Sequence, residues 1–133
     1  KLLSIEGQPV SLNDIEHRIL RPVWQDPRLH YALNCASLGC PNLSASAYDA
    51  DTIDTRLDQA ATTYVNNPRG VSFINGDLYV SSIYSWFRDD FGTSDNAVID
   101  HLKHYALAPL QDTLAATRRI AGYRYDWSLN DAP

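Results

Sequence analysis

The side chains that could carry chemistry are concentrated between Ser11 and Pro41, where an acid, two histidines and two cysteines occur: Glu16, His17, His30, Cys35 and Cys40. A cysteine becomes an effective nucleophile when a neighbouring imidazole takes its proton, and a carboxylate can hold that imidazole in place. We therefore expect Cys35 to be a nucleophile, with His17 or His30 as its base. Glu16 would orient the histidine.

Cys40 leaves three interpretations open. The C-x4-C spacing allows a small-loop disulfide with Cys35 in an oxidising compartment, a resolving thiol beside Cys35, or a metal site that also uses the histidines. Zinc sites usually contain closer cysteine pairs, so this spacing alone does not indicate zinc. No metal and no cofactor is therefore assigned. The sequence contains no glycine-rich phosphate loop and no G-x-S-x-G or H-E-x-x-H motif, which disfavours nucleotide, serine hydrolase and common metalloprotease chemistry.

The first helix must position Glu16. Ser11 and Asp14 form the S-x-x-D pattern of a capping box, and Pro22 is expected to end the helix near Arg21. A helical wheel puts Glu16 inside the apolar arc, which consists of Leu12, Ile15, Ile19 and Leu20. A carboxylate that faces the core should be paired with a cation or hydrogen-bond donors, or stay protonated.

The segment from Leu29 to Cys35 has the length and composition of a buried strand, and Cys35 stands at its exit. Reactive groups at strand ends reach solvent from a rigid base. Strict alternation would put His30 and Cys35 on opposite faces of this strand, which favours His17 as the base.

The remaining patterns predict a mixed α/β (α+β) domain over residues 1–133, with a small mixed or antiparallel sheet and about four to five helices. A strand from Lys1 to Glu6 ends at Gly7-Gln8-Pro9, and Asn75-Gly76 joins two strands in a hairpin. The spacing of apolar residues predicts a helix from Asp51 to Asn67 and two more that end at Gly92 and begin at Asp95. His101 and His104 fall on a polar helix face. A further helix over Pro109 to Arg119 precedes a last strand through Tyr123, Tyr125 and Trp127.

Composition excludes two classes of partner. The 133 residues carry a net charge of −5, so the chain as a whole repels nucleic acid. No apolar run approaches the ~20 residues that a membrane helix needs, so membrane insertion is not expected.

Two long motifs resemble the domain-of-unknown-function 547 family (DUF 547). They run from Val10 to Pro22 and from Asp26 to Ser37 with Cys40-Pro41, and the segments around Trp86-Phe87, Asp90-Phe91-Gly92 and Tyr125-Asp126-Trp127 are similar to later motifs of the family. The resemblance implies a fold remotely like papain and transglutaminases, although there the nucleophile precedes the histidine, whereas Cys35 follows both histidines here. It also implies a periplasmic or secreted protein.

Family members usually carry an aromatic-rich segment before the residues present here. The resemblance therefore implies that residues 1–133 are the C-terminal portion of a longer domain, with the missing N-terminal segment as one partner.

The leading hypothesis is a cysteine-dependent acyl transferase or hydrolase that acts on peptides or small thiol peptides. Cys35 would attack, and backbone N–H groups around Ala36 would stabilise the oxyanion. Four neighbouring residues are expected to bind the peptide or small-molecule ligand: Arg21, Arg28, Ser37 and Cys40. The alternatives are a non-catalytic binding or structural module with a Cys35–Cys40 disulfide and an ion-paired Glu16, and a Cys/His metal site.

Overall fold

A short hairpin opens the chain, which the computed structural model describes over residues 3–131. Strands β1 (Leu3–Ile5) and β2 (Gln8–Val10) pair in antiparallel fashion, with Leu3 opposite Val10. The predicted first strand is confirmed for these residues, and its first two positions lie outside the described range. The predicted turn is too long, because Gln8 and Pro9 already belong to β2.

The helix after this hairpin begins at the predicted capping box but does not end at Pro22. Ser11 Oγ accepts from the Asp14 N–H, and the Asp14 side chain accepts from the Ser11 backbone. Helix α1 (Leu12–Asp14) continues as a π-helical segment (Ile15–Leu20) and then as α2 (Arg21–Trp24). Proline lacks an N–H, and its ring clashes with the carbonyl four residues earlier in an α-helix. The wider π turn, in which the Arg21 N–H bonds to the Glu16 carbonyl, lets Pro22 occupy the first turn of α2.

The predicted strand from Leu29 to Cys35 is wrong. The segment forms a 3-10 helix (Pro27–Tyr31) followed by a turn and loop. Asp26 caps this helix by accepting from the Arg28 N–H, and the Asp-Pro pair is a helix-start signal that outweighs the apolar composition. His30 and Tyr31 are buried here without belonging to a sheet. The strand alternation that favoured His17 over His30 therefore does not apply.

The second half contains the larger sheet, in the order β3-β4-β5. Strands β3 (Val71–Ile74) and β4 (Asp77–Ser81) form the predicted hairpin, and β5 (Gly122–Arg124) runs parallel to β4. This arrangement confirms a mixed α/β fold with a small mixed sheet. The helices around the sheet are α3 (Ile53–Val65), α4 (Ile83–Trp86), α5 (Arg88–Phe91), α6 (Asp95–Tyr105) and α7 (Leu110–Ala116). The single helix predicted before Gly92 is divided at Phe87 into α4 and α5.

The core is rich in tyrosine. Tyr31, Tyr64 and Tyr84 are almost fully buried among apolar side chains of α3, β4 and α6. Their hydroxyls are satisfied, because that of Tyr31 is 3.2 Å from that of Tyr84 and 2.7 Å from Nε2 of His101. The first helix does not share this core: it contains no buried residue, and Leu12, predicted to face inward, is 76% exposed.

The end of the chain packs against the loop that carries the cysteines. The Leu38 and Gly39 N–H groups donate to the carbonyls of Ser128 and Asp126 at 2.8 Å, and the Asn130 N–H donates to that of Ala36 at 2.8 Å. Gly39 is needed for this approach, since a Cβ there would lie 2.9 Å from the Asp126 backbone nitrogen and the ring of Tyr125. These contacts bring Tyr125 and Trp127 beside the cysteines.

Candidate functional site

A cavity of about 260 Å³ lies between the cysteine loop, helix α4 and the segment after β5. Four of the residues singled out in the sequence line it: Glu16, His30, Cys35 and Cys40. The rest of the wall is mainly apolar or aromatic and includes Leu33, Ile83, Trp86, Phe87 and Trp127. The cavity can therefore accept an apolar group next to the sulfur and the imidazole.

Cys35 and Cys40 are joined by a disulfide across a separation of five residues. Cys35 is exposed, whereas Cys40 is 2% exposed. The Tyr125 hydroxyl is 2.9 Å from Sγ of Cys35 and 3.1 Å from Sγ of Cys40, and Ser37 Oγ lies 2.9 Å from the same hydroxyl. A reagent in the cavity would therefore reach the Cys35 sulfur first.

Asn34 holds the cysteine loop in shape. Its Nδ2 donates to the Pro41 carbonyl at 2.8 Å, and its Oδ1 accepts from the Ala36 N–H at 2.8 Å. The Ala36 N–H, predicted to stabilise an oxyanion, is thus already bonded. Tyr64 anchors the loop from the core side, because its hydroxyl donates to the Gly39 carbonyl at 2.7 Å.

His30 is 4% exposed and held by contacts on several sides. Its ring stacks on Phe87 with a centroid separation of 4.1 Å, and its Nε2 is 2.7 Å from Oδ2 of Asp90. Within residues 3–131, Nδ1 has no hydrogen-bond partner. Burial lowers the pKa of His30, although the hydrogen bond to Asp90 opposes that change. The imidazole is therefore neutral near pH 7, with one ring nitrogen fixed and the other available.

Asp90 links His30 to the first helix. Arg21 Nε donates to Oδ2 of Asp90 at 2.6 Å, and the Arg21 guanidinium lies 4.9 Å from the ring centroid of Phe87. Burial raises the pKa of Asp90, but hydrogen bonds from Arg21 and His30 outweigh it and lower the pKa overall. Asp90 is consequently a carboxylate at neutral pH and accepts from both partners.

Glu16 and His17 have different surroundings. Glu16 lines the cavity, and its Oε1 is 3.7 Å from Nε2 of His17. His17 is exposed, and its Nδ1 accepts from Arg21 Nη1 at 2.9 Å. It lies in a neighbouring cleft with Arg21 and Asp90. Of the two histidines considered as bases, His30 is the one in the cavity wall.

Arg28, also predicted to bind a ligand, lies outside the cavity wall. Its Nη2 is 2.6 Å from Asp26 and 2.9 Å from Asp54, and its Nη1 is 2.9 Å from Asp58. The hydrogen bond to Asp26 is the main reason that the pKa of Arg28 is raised. These contacts tie the 3-10 helix to α3.

Sequence reasoning missed Asp90 and Tyr125 as members of the site, together with the aromatic residues Trp86, Phe87 and Trp127. Asp90 is 60 positions from His30, and Tyr125 is 90 positions from Cys35. Residues that are so far apart along the chain produce no local sequence pattern that would link them. Their motifs, Asp90-Phe91-Gly92 and Tyr125-Asp126-Trp127, were the available signal, but it indicates no role.

The described residues contain neither a metal-binding cluster nor a membrane-spanning helix. Among residues 3–131, no group of three or more His, Cys, Asp or Glu side chains is arranged to hold a metal ion. No helix in the same range combines the length and hydropathy needed to cross a bilayer.

Fold and site together define a mixed α/β protein with a His–Asp pair and a cysteine disulfide in the wall of an apolar cavity. Residues 1–65, slightly less than half of the chain, match the model of a family described as a protein of unknown function, DUF547. The resemblance seen in the sequence is thus confirmed over the part that contains Glu16, His30 and both cysteines. Asp90 and Tyr125 lie beyond the matched residues. The chain matches no curated protein and no solved structure.

Proposed function

We propose that the reduced protein is a cysteine-dependent acyl transferase or hydrolase of peptides, with Cys35 as nucleophile and His30 as base. The observation that carries this proposal is that Cys35 and His30 line one cavity while Asp90 holds the far nitrogen of the imidazole. A base that is oriented by a carboxylate, and faces a thiol, is the arrangement that cysteine nucleophiles use. Asp90 takes the orienting role first assigned to Glu16.

The reaction requires reduction of the Cys35–Cys40 disulfide. An external dithiol would attack the exposed Cys35 sulfur, release Cys40 as a thiol, and leave as a disulfide once its second thiol has freed Cys35. Loss of a link that closes so short a loop costs roughly 2 kcal/mol. Neither cysteine belongs to the tyrosine-rich core cluster, so we expect the reduced chain to stay folded.

The acyl transfer itself follows from the free nitrogen of His30. Nδ1 takes the proton of the Cys35 thiol, and the sulfur bonds to the substrate carbonyl carbon. The Tyr125 hydroxyl, 2.9 Å from Cys35 Sγ, donates to the oxyanion in place of the occupied Ala36 N–H. The His30 proton then passes to the leaving amine as its bond to carbon breaks. Water or an acceptor amine cleaves the resulting thioester and restores the thiol.

Alkylation with iodoacetamide after reduction by dithiothreitol tests this assignment. The Cys35 rate should rise with pH through an inflection that is set by His30, whose pKa burial lowers from the ordinary 6.5, whereas an unassisted thiol ionises near about 8.5. Mass spectrometry of the digested protein separates the Cys35 adduct from that of Cys40. The variant His30→Gln should lose the early inflection, while His104→Gln, which changes an exposed histidine of α6, should retain it.

A Cys35 inflection near 8.5 in the wild-type protein would contradict acyl transfer and favour the non-catalytic binding module. So would a profile that is identical in wild type and His30→Gln. A second measurement covers the covalent step: the reduced protein is mixed with 4-nitrophenyl acetate, and an acetyl group should be recovered on Cys35. Recovery of equal acetylation in His30→Gln would also count against the proposal.

A further inference from the structure

Most arginines of this chain are paired with aspartates, and the exceptions are informative. Six of the nine arginines lie within 4.0 Å of a carboxylate: Arg18, Arg21, Arg28, Arg56, Arg88 and Arg119. Within residues 3–131, Arg69, Arg118 and Arg124 have no such partner. Two of these three, Arg69 and Arg124, line the same cleft. In a chain with a net charge of −5, two uncompensated guanidinium groups in one concavity favour an anionic ligand.

The cleft, which we call the arginine cleft, is defined by Arg69, Ser72, Arg124, Asp126 and Ser128, with Pro68, Tyr125 and Trp127 completing its wall. Its volume is about 640 Å³. It is large enough to receive part of a peptide, and its serine hydroxyls offer further donors to an anion.

Both guanidinium groups have unused donors. Arg124 makes no side-chain hydrogen bond to any residue in the range 3–131. Arg69 donates to two neutral acceptors, the Asn42 side chain at 2.6 Å and the Leu38 carbonyl at 3.5 Å. Its Nε is buried and unpartnered within the described residues. Because an arginine has five N–H donors, each of the two can still bind a carboxylate.

One carboxylate, that of Asp126, lies in the arginine cleft and is already hydrogen-bonded within its own loop. Asp126 Oδ1 accepts from the Ser128 N–H at 2.9 Å, and the hydrogen bonds from Ser128 lower the pKa of Asp126. Asp126 forms no ion pair with either arginine within residues 3–131. Two positive charges against one negative charge leave the cleft with an excess of one positive charge.

The arginine cleft adjoins the cavity of Cys35 and His30. Tyr125 and Trp127 belong to the walls of both, and their ring centroids are 4.7 Å apart. Trp127 is 68% exposed. A bound peptide can therefore cross this pair of rings from one depression to the other.

We propose that Arg69 and Arg124 form a carboxylate-binding subsite, and that the substrates of the Cys35 site are peptides with a carboxylate near the bond that is attacked. Naming the substrate class rests on the proposed acyl transfer, whereas the binding of a carboxylate does not. The apolar cavity takes a hydrophobic side chain, and the arginine cleft takes the negative charge beyond Trp127.

Two peptides that differ only in charge test the subsite: N-acetyl-Phe-Gly with a free carboxylate, and the same peptide as its amide. Each is titrated into ¹⁵N-labelled protein with the disulfide intact, and the Trp127 indole N–H and Arg124 Nε–H resonances are followed. We expect the acid to bind about tenfold more tightly than the amide, as a charge-assisted pair in a partly exposed cleft allows. Higher salt should reduce this preference.

Arg124→Gln should abolish the preference for the acid, and Arg118→Gln should leave it unchanged. Arg118 is a matched control, because it also lacks a carboxylate partner among the described residues but donates only to carbonyls of Ala115 and Thr117 outside the cleft. Equal binding of acid and amide, or equal effects of the two substitutions, would overturn the subsite. Since no thiol takes part, a preference that persists while Cys35 shows ordinary reactivity would overturn the acyl transfer and leave the subsite standing.

Discussion

Asp90 is the residue on which most of the site geometry depends. One of its oxygens, Oδ2, accepts from Arg21 at 2.6 Å and lies 2.7 Å from Nε2 of His30. It therefore connects α5 to the first helix and the 3-10 helix, whose contacting residues lie 69 and 60 positions earlier in the chain. A single carboxylate oxygen thus fixes the position of a buried imidazole.

The substitution Asp90→Asn should destabilise the fold. An amide keeps the shape but removes the charge, so both Arg21 and His30 lose a charge-assisted hydrogen bond in a half-buried position. We expect the free energy of unfolding to fall by about 1 to 3 kcal/mol, as measured by urea denaturation. Asp89→Asn is the control because Asp89 is exposed, and it should stay within about 0.5 kcal/mol of the wild type. An Asp90→Asn value equally close to the wild type would show that the Asp90 contacts add nothing to stability.

At the scale of elements, Asp90 depends on how α5 ends. Gly92 follows the helix with φ of 98° and ψ of 149°, a conformation that is open to glycine and strained for other residues. A Cβ at this position would also lie 2.4 Å from the Cβ of Ala97 in α6. Gly92 thereby allows α5 to turn closely against α6.

Gly92→Ala should cost more stability than Gly76→Ala. Both glycines have positive φ, but a Cβ on Gly76 would have no atom within 4 Å, so that variant measures the backbone strain alone, about 1 to 2 kcal/mol. The clash with Ala97 should add at least about 1 kcal/mol at Gly92. Thermal and urea unfolding of the two variants would provide the comparison. An equal loss of stability in the two variants would mean that α6 shifts to accommodate the new Cβ at no cost in free energy.

At the scale of the whole molecule, stability should depend on pH through buried imidazoles. His101 was predicted to lie on a polar helix face, but its ring packs against Tyr31 and Phe91, and its Nε2 lies 2.7 Å from the Tyr31 hydroxyl, which itself donates to the Tyr84 hydroxyl. Burial, and to a smaller extent the charge of His104, lowers the pKa of His101 to about 4 from its ordinary 6.5. Burial lowers the pKa of His30 as well. Both rings are neutral in the folded core.

Stability should accordingly fall as pH drops from about 6.5 to about 4. Between these pH values the unfolded chain binds a proton at His101 that the folded chain does not bind. The contribution of His101 to the free energy of unfolding is therefore fully present above about pH 6.5, and it is fully lost below the pKa of His101 in the folded protein. The contribution of His101 is at most about 3 kcal/mol. His101→Gln keeps a side-chain N–H that can donate to the Tyr31 hydroxyl oxygen, and it should show a smaller decrease in stability between pH 7 and pH 4.5 in urea denaturation. His104→Gln should keep most of the wild-type decrease, and an equal decrease in wild type and His101→Gln would refute the assignment.

Local features of the fold could be predicted from the sequence because short-range interactions determine them. The capping box of Ser11 and Asp14 spans three positions, and the Asn75-Gly76 turn needs only two residues that tolerate positive φ. The amphipathic helices α3 and α6 follow from apolar spacing within each helix. The strand prediction for the segment from Leu29 to Cys35 failed because an apolar stretch indicates only that the segment is buried. A buried segment can be a 3-10 helix as well as a strand.

The sequence by itself determined which residues could react and which elements carry most of them, and it identified Cys35, His30 and Cys40 as a group. Only the tertiary structure decided that Asp90 holds His30, that Tyr125 and Trp127 lie in one cavity wall with Cys35, and that Arg69 and Arg124 line one cleft. These partners are separated by 55 to 92 positions. Their proximity depends on how the sheet, the helices and the final segment pack together. The spacing of residues along the chain does not predict that packing.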